Sequence, residues 1–550
     1  MKILRGNYNQ HVVLGRTFRP LAFALALLLL PLPATAQNTA GSNGDSSGRV
    51  VLVLPFENHS GQPSLDWIGE SFPTIINQRL GSASFLTITR DDRMYALDHL
   101  GLPLDFKPTR ATTIRIAQTL DADYVIVGSF TTSGTAPDLR IQAQAQVLRM
   151  DALKLGAPIQ DSTPLPRLLD LENALAWSLA RQIDPTYNVA QATFLAASAG
   201  LQLNAFEDYV RGLVDRNPAD SATHFQAAVQ LQPNYSAAIL ALGKLQYANQ
   251  EYEQAAVTLA KLPEGNPLAL EASFYRGLAF FNTGKYANAE KSFAYVAAAL
   301  PLPEVINNQA VAVSRQNKDA GALFQRASAA DPQDSDYHFN IAVAFYRRKD
   351  YPGAQREVLL TLQRKPNDTE AVALRDHIAA ALAGAPPSGK DAFDPLERIR
   401  RTYSEASFRQ AAFQLDQIRT LRMAALPPAE RAGQLTQLGN DYLDQGLVPE
   451  AESEFRSAIA ADPNNAGAHV GLARLARQSG NLTDARTEAT RSLQLRPSVP
   501  AYLVLAQLEL DANNLPAAAA YVANALKLSP GDSAATGMRR ALEARGQKLP

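Results

Sequence analysis

Prolines recur along the chain at positions 233, 267, 301, 332 and 366, and again at 463, 497 and 530, separated by 34, 34, 31 and 34 and then by 34 and 33 residues. A period of this length marks stacked supersecondary units, each unable to bury its apolar face alone. Anchored on the prolines, small and aromatic residues fall at matching places: Leu242-Gly243 and Ala255; Gly277, Ala289 and Phe293; Ala320, Phe324 and Ala327; and Leu438-Gly439, Tyr442, Ala451, Phe455 and Ala458. Small residues let two antiparallel helices approach closely, aromatic rings fill the space between neighbouring pairs, and proline stops the second helix. The pattern predicts an all-α solenoid.

These positions resemble the signature of tetratricopeptide repeats. We read two blocks, 202–382 and 393–548, separated by a linker at 383–392 whose Ala-Gly-Ala-Pro-Pro-Ser-Gly composition opposes a helix. Thr369 to Leu382 reads as the last helix of the first block. Leu396–Tyr403 and Phe408–Ile418 read as a degenerate helical pair that restarts the pattern, and Asp532–Arg545 as a solvating cap with Ala534, Met538 and Leu542 on its inner face.

Ahead of the repeats the texture is different. Val50 to Leu54 is a β-branched run suited to a strand buried on both faces. Ser64 reads as the cap of a helix reaching Leu80 with Trp67, Ile68, Phe72, Ile75 and Ile76 inward. Phe85–Thr89 and Asp123–Phe130 read as strands, with helical patches at Arg93–Leu100 and Thr112–Leu120 between them. The alternation Leu139, Ile141, Ala143, Ala145, Val147 gives a strand with one wet face, and Leu168, Leu171, Leu175 and Leu179 a covering helix. The expectation for 49–197 is an α/β domain, a mixed sheet with covering helices. Val51-Leu-Val-Leu-Pro-Phe-Glu-Asn58, Trp67-Ile-Gly-Glu70 and Asp121 to Ser129 resemble the amino-terminal domain of TolB-like and FlgO-like envelope proteins over about residues 49–183. That resemblance implies protein contact without catalysis. Trp67 and the Glu57–Pro63 loop read either as a partner-binding edge or as a core tryptophan beside an ordinary loop.

Residues 1–36 carry Lys2, Arg5, Arg16 and Arg19, an apolar run from Leu21 to Leu30, and Ala34-Thr35-Ala36 before Gln37, the order of a secretory signal. Cleavage after Ala36 is expected, an uncleaved anchor being the alternative, and 37–48 reads as a flexible leader. Cleavage leaves 48 basic residues against 53 acidic, a net −5, which offers no overall positive charge to phosphate backbones. Nucleic acid is therefore not an expected partner, and the mature chain has no apolar stretch long enough to span a bilayer. The expected location is the bacterial periplasm, with peripheral association at the outer membrane left open.

No catalytic constellation emerges. The chain has no cysteine, which excludes disulfides, thiolate metal sites and a Cys nucleophile. The seven histidines are never four apart, so no helical zinc pair is indicated. Gly384-Ala-Pro-Pro-Ser-Gly-Lys390 has the spacing of a phosphate loop, but Pro386 and Pro387 have no N–H to offer and Asp391 replaces the Mg²⁺-binding hydroxyl. No enzyme activity and no cofactor are expected. What remains is the inner face of the solenoid. The repeat positions that line it in the family correspond here to Lys244, Tyr247, Phe274, Phe281, Asn308, Arg315, Phe339, Tyr346 and Arg347, and in the second block to Asn440, Arg474, Arg477, Gln478 and Asp511. Rings beside Asn and Arg suit an extended peptide. The reading is an exported, non-enzymatic scaffold that binds envelope proteins or peptides. The alternative is a sensory or enzyme-associated module whose α/β domain takes a small ligand at its strand ends, near Pro55–Ser60 and Ser129.

Overall fold

The computed structural model describes residues 49–103, 109–135, 138–384, 393–402, 418–419 and 421–550. The signal-like segment with its cleavage point, the phosphate-loop look-alike beyond Gly384 and nearly all of the predicted helix Phe408–Ile418 lie outside them. No helix of the described residues is long and apolar enough to cross a membrane.

The amino-terminal layer is a mixed sheet. β1 (Val50–Val53) lies between β3 (Leu86–Thr87) and β4 (Tyr124–Ser133), parallel to both, and β4 forms a long antiparallel hairpin with β5 (Arg140–Arg149). The short β2 (Glu57–Asn58) adds in parallel to the end of β4, while β6 (Lys154–Leu155) and β7 (Ile159–Pro164) pair with β5. Successive side chains of a strand point to opposite faces. Val51 and Val53 accordingly enter the core beneath α1 (Trp67–Ser82) and α4 (Leu168–Ile183), whereas Leu52 and Leu54 pack under α2 (Arg90–His99) and α3 (Arg110–Thr119). The expected inward set of α1 is buried, but the helix begins at Trp67 after a short 3₁₀ turn at Pro63–Leu65, and Ser64 does not cap it. Proline is well suited to the first position of such a turn, and it displaces the helix start.

Between α1 and α4 a polar pair is sealed in. Ser71 Oγ donates to the Glu172 carboxylate, and Arg79 Nε donates to Asn173 Oδ1 at 2.6 Å while its Nη2 reaches Ser198 Oγ at 2.9 Å. Burial raises Glu172 to about 8 against the opposing Ser71 hydrogen bond, and lowers Arg79 to about 10.

From α5 (Gln191–Ala196) onward the described chain is helical except for one segment. The first block contains α6 (Leu203–Val214), α7 (Pro218–Leu231), α8 (Ser236–Ala248), α9 (Tyr252–Leu259), α10 (Ala269–Asn282), α11 (Tyr286–Ala299), α12 (Pro303–Ser314), α13 (Gly321–Ala330), α14 (Ser335–Arg347), α15 (Tyr351–Arg364) and α16 (Thr369–Leu382). The second contains α17 (Pro428–Asp444), α18 (Val448–Ala461), α19 (Ala466–Gln478), α20 (Leu482–Leu495), α21 (Val499–Asp511), α22 (Leu515–Leu528) and the cap α23 (Ser533–Ala544). The close helix approach expected from the small residues is present: a Cβ placed on Gly439 would lie 2.6 Å from the Phe455 ring, and one on Gly277 2.7 Å from Phe293. In the cap helix Ala535 and Leu542 face inward, and Ala534 is exposed.

Trp67 is buried and meets Phe206 of α6 edge-on at 6.4 Å, so it joins the sheet layer to the first repeat rather than forming an exposed edge. The second block returns to the same junction. Glu452 of α18 accepts the Ala190 amide at 3.1 Å and the Thr193 hydroxyl of α5.

Candidate functional site

The predicted helix at Leu396–Tyr403 does not form over its described residues, 396–402. Residues 393–402 run extended along the concave face of the first block, from α16 and α14 back past α12 toward α8 and α10. The cause is visible in the groove. Asn308 of α12 and Asn340 of α14 occupy the same place, five residues after their helix starts, and each grips one backbone residue twice. Asn340 Oδ1 accepts the Arg398 amide at 2.7 Å and its Nδ2 donates to the Arg398 carbonyl at 2.8 Å. Asn308 does the same for Arg400, at 2.7 Å each way. In an extended chain alternate residues turn their N–H and C=O to the same side, about 6.7 Å apart, so two successive repeats hold residues 398 and 400. Asn307 adds a bond to the Arg398 carbonyl at 2.9 Å and accepts from Asn340 at 2.7 Å. All three asparagines are fully buried. The groove supplies the hydrogen bonds that a helix would have made internally, which outweighs a modest local preference.

The side chains of the segment enter distinct pockets. Glu397, with no exposed side-chain surface, sits between Arg315 Nε at 3.2 Å, Arg347 and the Ser314 hydroxyl. The Arg398 guanidinium lies 3.8 Å above the Phe339 ring and bridges Asp336 at 2.8 Å, Asp368 at 2.6 Å and Glu370 at 2.8 Å. Burial opposes the charge on Asp368, but hydrogen bonds from Arg398 and from the Ala371 amide outweigh it and hold that carboxyl at about 2. Arg400 pairs with Asp334 and with Asp336 at 3.1 Å, its guanidinium 5.4 Å from the Tyr337 ring centroid. Asp334 and Asp368 are also the N-caps of α14 and α16. In Asp334 one oxygen satisfies the helix end while the other meets Arg400, and in Asp368 the capping Oδ1 and its neighbour Oδ2 both accept from Arg398, so repeat geometry itself places carboxylates along the rim. Ile399 packs against the same buried cluster of α12, α13 and α14 as Phe281 and Phe345, and Phe393 stacks on His377 at 4.0 Å and meets Tyr346 edge-on.

Of the sequence-selected residues, Asn308, Arg315, Phe339, Tyr346 and Arg347 converge on this segment, and the Phe281 ring lies 6.0 Å from the Arg315 guanidinium that pairs with Glu397. Phe274 does not line the groove: it is buried against Phe293 in the core. Lys244 and Tyr247 stand farther along, where Arg401 and Thr402 enter a cleft of about 1650 Å³ bounded by α1, α2, α8, α10 and the Gly446–Glu450 turn. Lys244 is paired with Glu271 at 2.8 Å, and Tyr247 packs on Tyr252 and Tyr275. In the second block, Arg474 and Arg477 make loose pairs with Asp444 and Asp511, each at 3.8 Å.

Asn340 was hidden by the 31-residue interval before Pro332: counting from that proline selects Phe339, one residue short. Equal distances from two helix starts would have found it. At the strand ends, where the alternative reading put a small ligand, β2 pairs across to Ser129–Phe130 and Phe56 is buried on Phe72 at 4.1 Å. Among the described residues no group of three or more His, Asp or Glu could hold a metal ion.

Comparison with known proteins agrees on the repeats. Tetratricopeptide-repeat family models match residues 215–272, 310–369 and 436–500, and the chain carries these repeats. A curated relative, the cellulose synthase 1 operon protein C of Komagataeibacter xylinus, is 28% identical over 168 residues, spanning 30% of this chain and 11% of that protein. Among solved structures, YrrB, described as a TPR protein with an unusual peptide-binding site, is 12% identical, with 37% of this chain and 99% of that one covered and a TM-score of 0.28. The LpoB C-terminal domain from Escherichia coli is 24% identical, with 22% and 88% covered and a TM-score of 0.19.

Proposed function

We propose that the chain is an exported, non-enzymatic scaffold that binds envelope proteins or peptides through the groove of its tetratricopeptide repeats. The observation that carries this reading is the stretch of backbone at 393–402 lying in the concave face of the first block, held by side-chain clamps that accept any extended backbone and by pockets that select its side chains. Backbone clamps give affinity without sequence demand; charged and aromatic pockets give choice. The signal-like segment at 1–36 and the TolB-like and FlgO-like texture of 49–183 support an envelope setting and a second protein-contacting layer.

The test is affinity capture from envelope extracts by the mature chain and by a chain carrying Asn308→Ala and Asn340→Ala, with recovered proteins identified by mass spectrometry. A set of proteins retained by the unaltered chain and lost with the asparagines is expected. Equal recovery by both chains, or none by either, contradicts the reading.

A further inference from the structure

The segment in the groove has an unusual composition of contacts for a permanent part of a core. It makes no helix and no strand. Leu396 is 56% exposed, and the Asp394 side chain 71% exposed, beside a fully buried Glu397. Its anchorage combines ion pairs and side-chain-to-backbone hydrogen bonds with ring contacts at Phe393 and Arg398, contacts that a second peptide could replace one for one. Four carboxylates, from Asp334, Asp336, Asp368 and Glu370, converge on two guanidiniums. If the segment left, that rim would be a cluster of four carboxylates offset by Lys365, which pairs with Asp368 at 3.4 Å, and like charges so close are costly until further cations return. In the second block α19 and α21 are capped by the neutral Asn465 and Ser498, and α23 by Asp532.

We propose that residues 393–402 are a tethered competitor that closes the first groove, and that the partner able to displace them is an extended peptide with the same side-chain chemistry: a carboxylate, then two arginines flanking one apolar residue. This rests on the scaffold reading above and specifies its ligand. In the sequence, ten residues, 383–392, separate the segment from the end of α16. A short tether gives an effective concentration on the order of 1 mM. A free peptide of intrinsic Kd ~10 µM would then bind the intact chain roughly 100-fold more weakly. Only a partner that is locally abundant or that makes additional contacts, for instance in the adjoining cleft, opens the groove.

The experiment uses the mature full chain and a labelled synthetic peptide, Phe-Asp-Pro-Leu-Glu-Arg-Ile-Arg-Arg-Thr, with binding read by fluorescence anisotropy. Weakening the internal segment by Arg398→Ala with Arg400→Ala should raise affinity for the peptide at least tenfold over the unaltered chain. Replacing the same two arginines in the peptide should cost at least tenfold on that variant. Arg400→Ala alone serves as a milder version, and circular dichroism confirms that each variant keeps the helical content of the parent. Equal binding by parent and folded variants, or none by any, overturns the proposal and makes the segment a permanent brace. If capture of envelope proteins still depends on Asn308 and Asn340 in that event, the scaffold reading survives without it.

Discussion

At the residue scale the groove turns on buried charged and polar groups set against one another. Glu397 is fully enclosed by Arg315, Arg347 and Ser314. Replacing one member of such a set leaves charges buried and unpaired, which commonly costs ~3–5 kcal/mol. Glu397→Ala should therefore lower the urea midpoint clearly, whereas Lys291→Ala on the outer surface should leave it within error. Asp368 supplies a pH signature. Its carboxyl is held at about 2 against an ordinary 3.8, so its stabilising contribution is complete above ~pH 4 and is lost as pH falls through 2. Hydrogen exchange at Arg398 and Arg400 should accelerate in that window. Glu172 has the opposite sign. Raised to about 8 from 4.5, it contributes most below pH 4.5, and this contribution is lost as pH rises to 8. Glu172→Gln should flatten the fall in stability between pH 5 and 8, a difference on the order of 4 kcal/mol at pH 8; an unchanged pH profile would contradict the buried protonated carboxyl. Of these residues the sequence made Asn308, Arg315 and Arg347 legible, because repeat spacing marks an inner face. Glu172 and Glu397 were not, since nothing local distinguishes a carboxylate that will be sealed in from one on a wet helix face.

At the element scale, repeat periodicity and small-residue placement determined most helices, because each rule is satisfied within one helical pair. Gly439→Ala tests this. Its new methyl would meet the buried Phe455 ring, and overpacking of that kind costs ~1–3 kcal/mol; calorimetry should show the loss, and an unchanged transition would mean that α17 and α18 are less closely packed than described. The element that sequence reasoning misassigned is 393–402. Local propensity admits a helix there, and only the asparagines of repeats some sixty to ninety residues away make the extended form better. A pattern read within a window cannot contain a partner that lies outside it. Pro63 at the start of the 3₁₀ turn before α1 is the smaller case: the cap residue looked right, but the turn shifted the helix start past it.

At the scale of the whole molecule, the two blocks are joined by chain that returns through the first groove, and the start of the second block meets the junction of sheet layer and first repeat through Glu452 and α5. The α/β layer and the repeats were each legible in sequence because each has its own hydrophobic period. Their mutual arrangement was not, since it depends on contacts distant in sequence, Trp67 against Phe206 and Glu452 against Thr193 among them. The central claim, that the first groove is filled by the chain's own extended segment, is tested most directly by amide hydrogen exchange of the full mature chain at neutral pH. The Arg398 and Arg400 amides, each donating to a buried asparagine at 2.7 Å, should be protected at least a hundredfold relative to an unstructured peptide of the same sequence. Exchange of both at the unstructured rate would contradict the account.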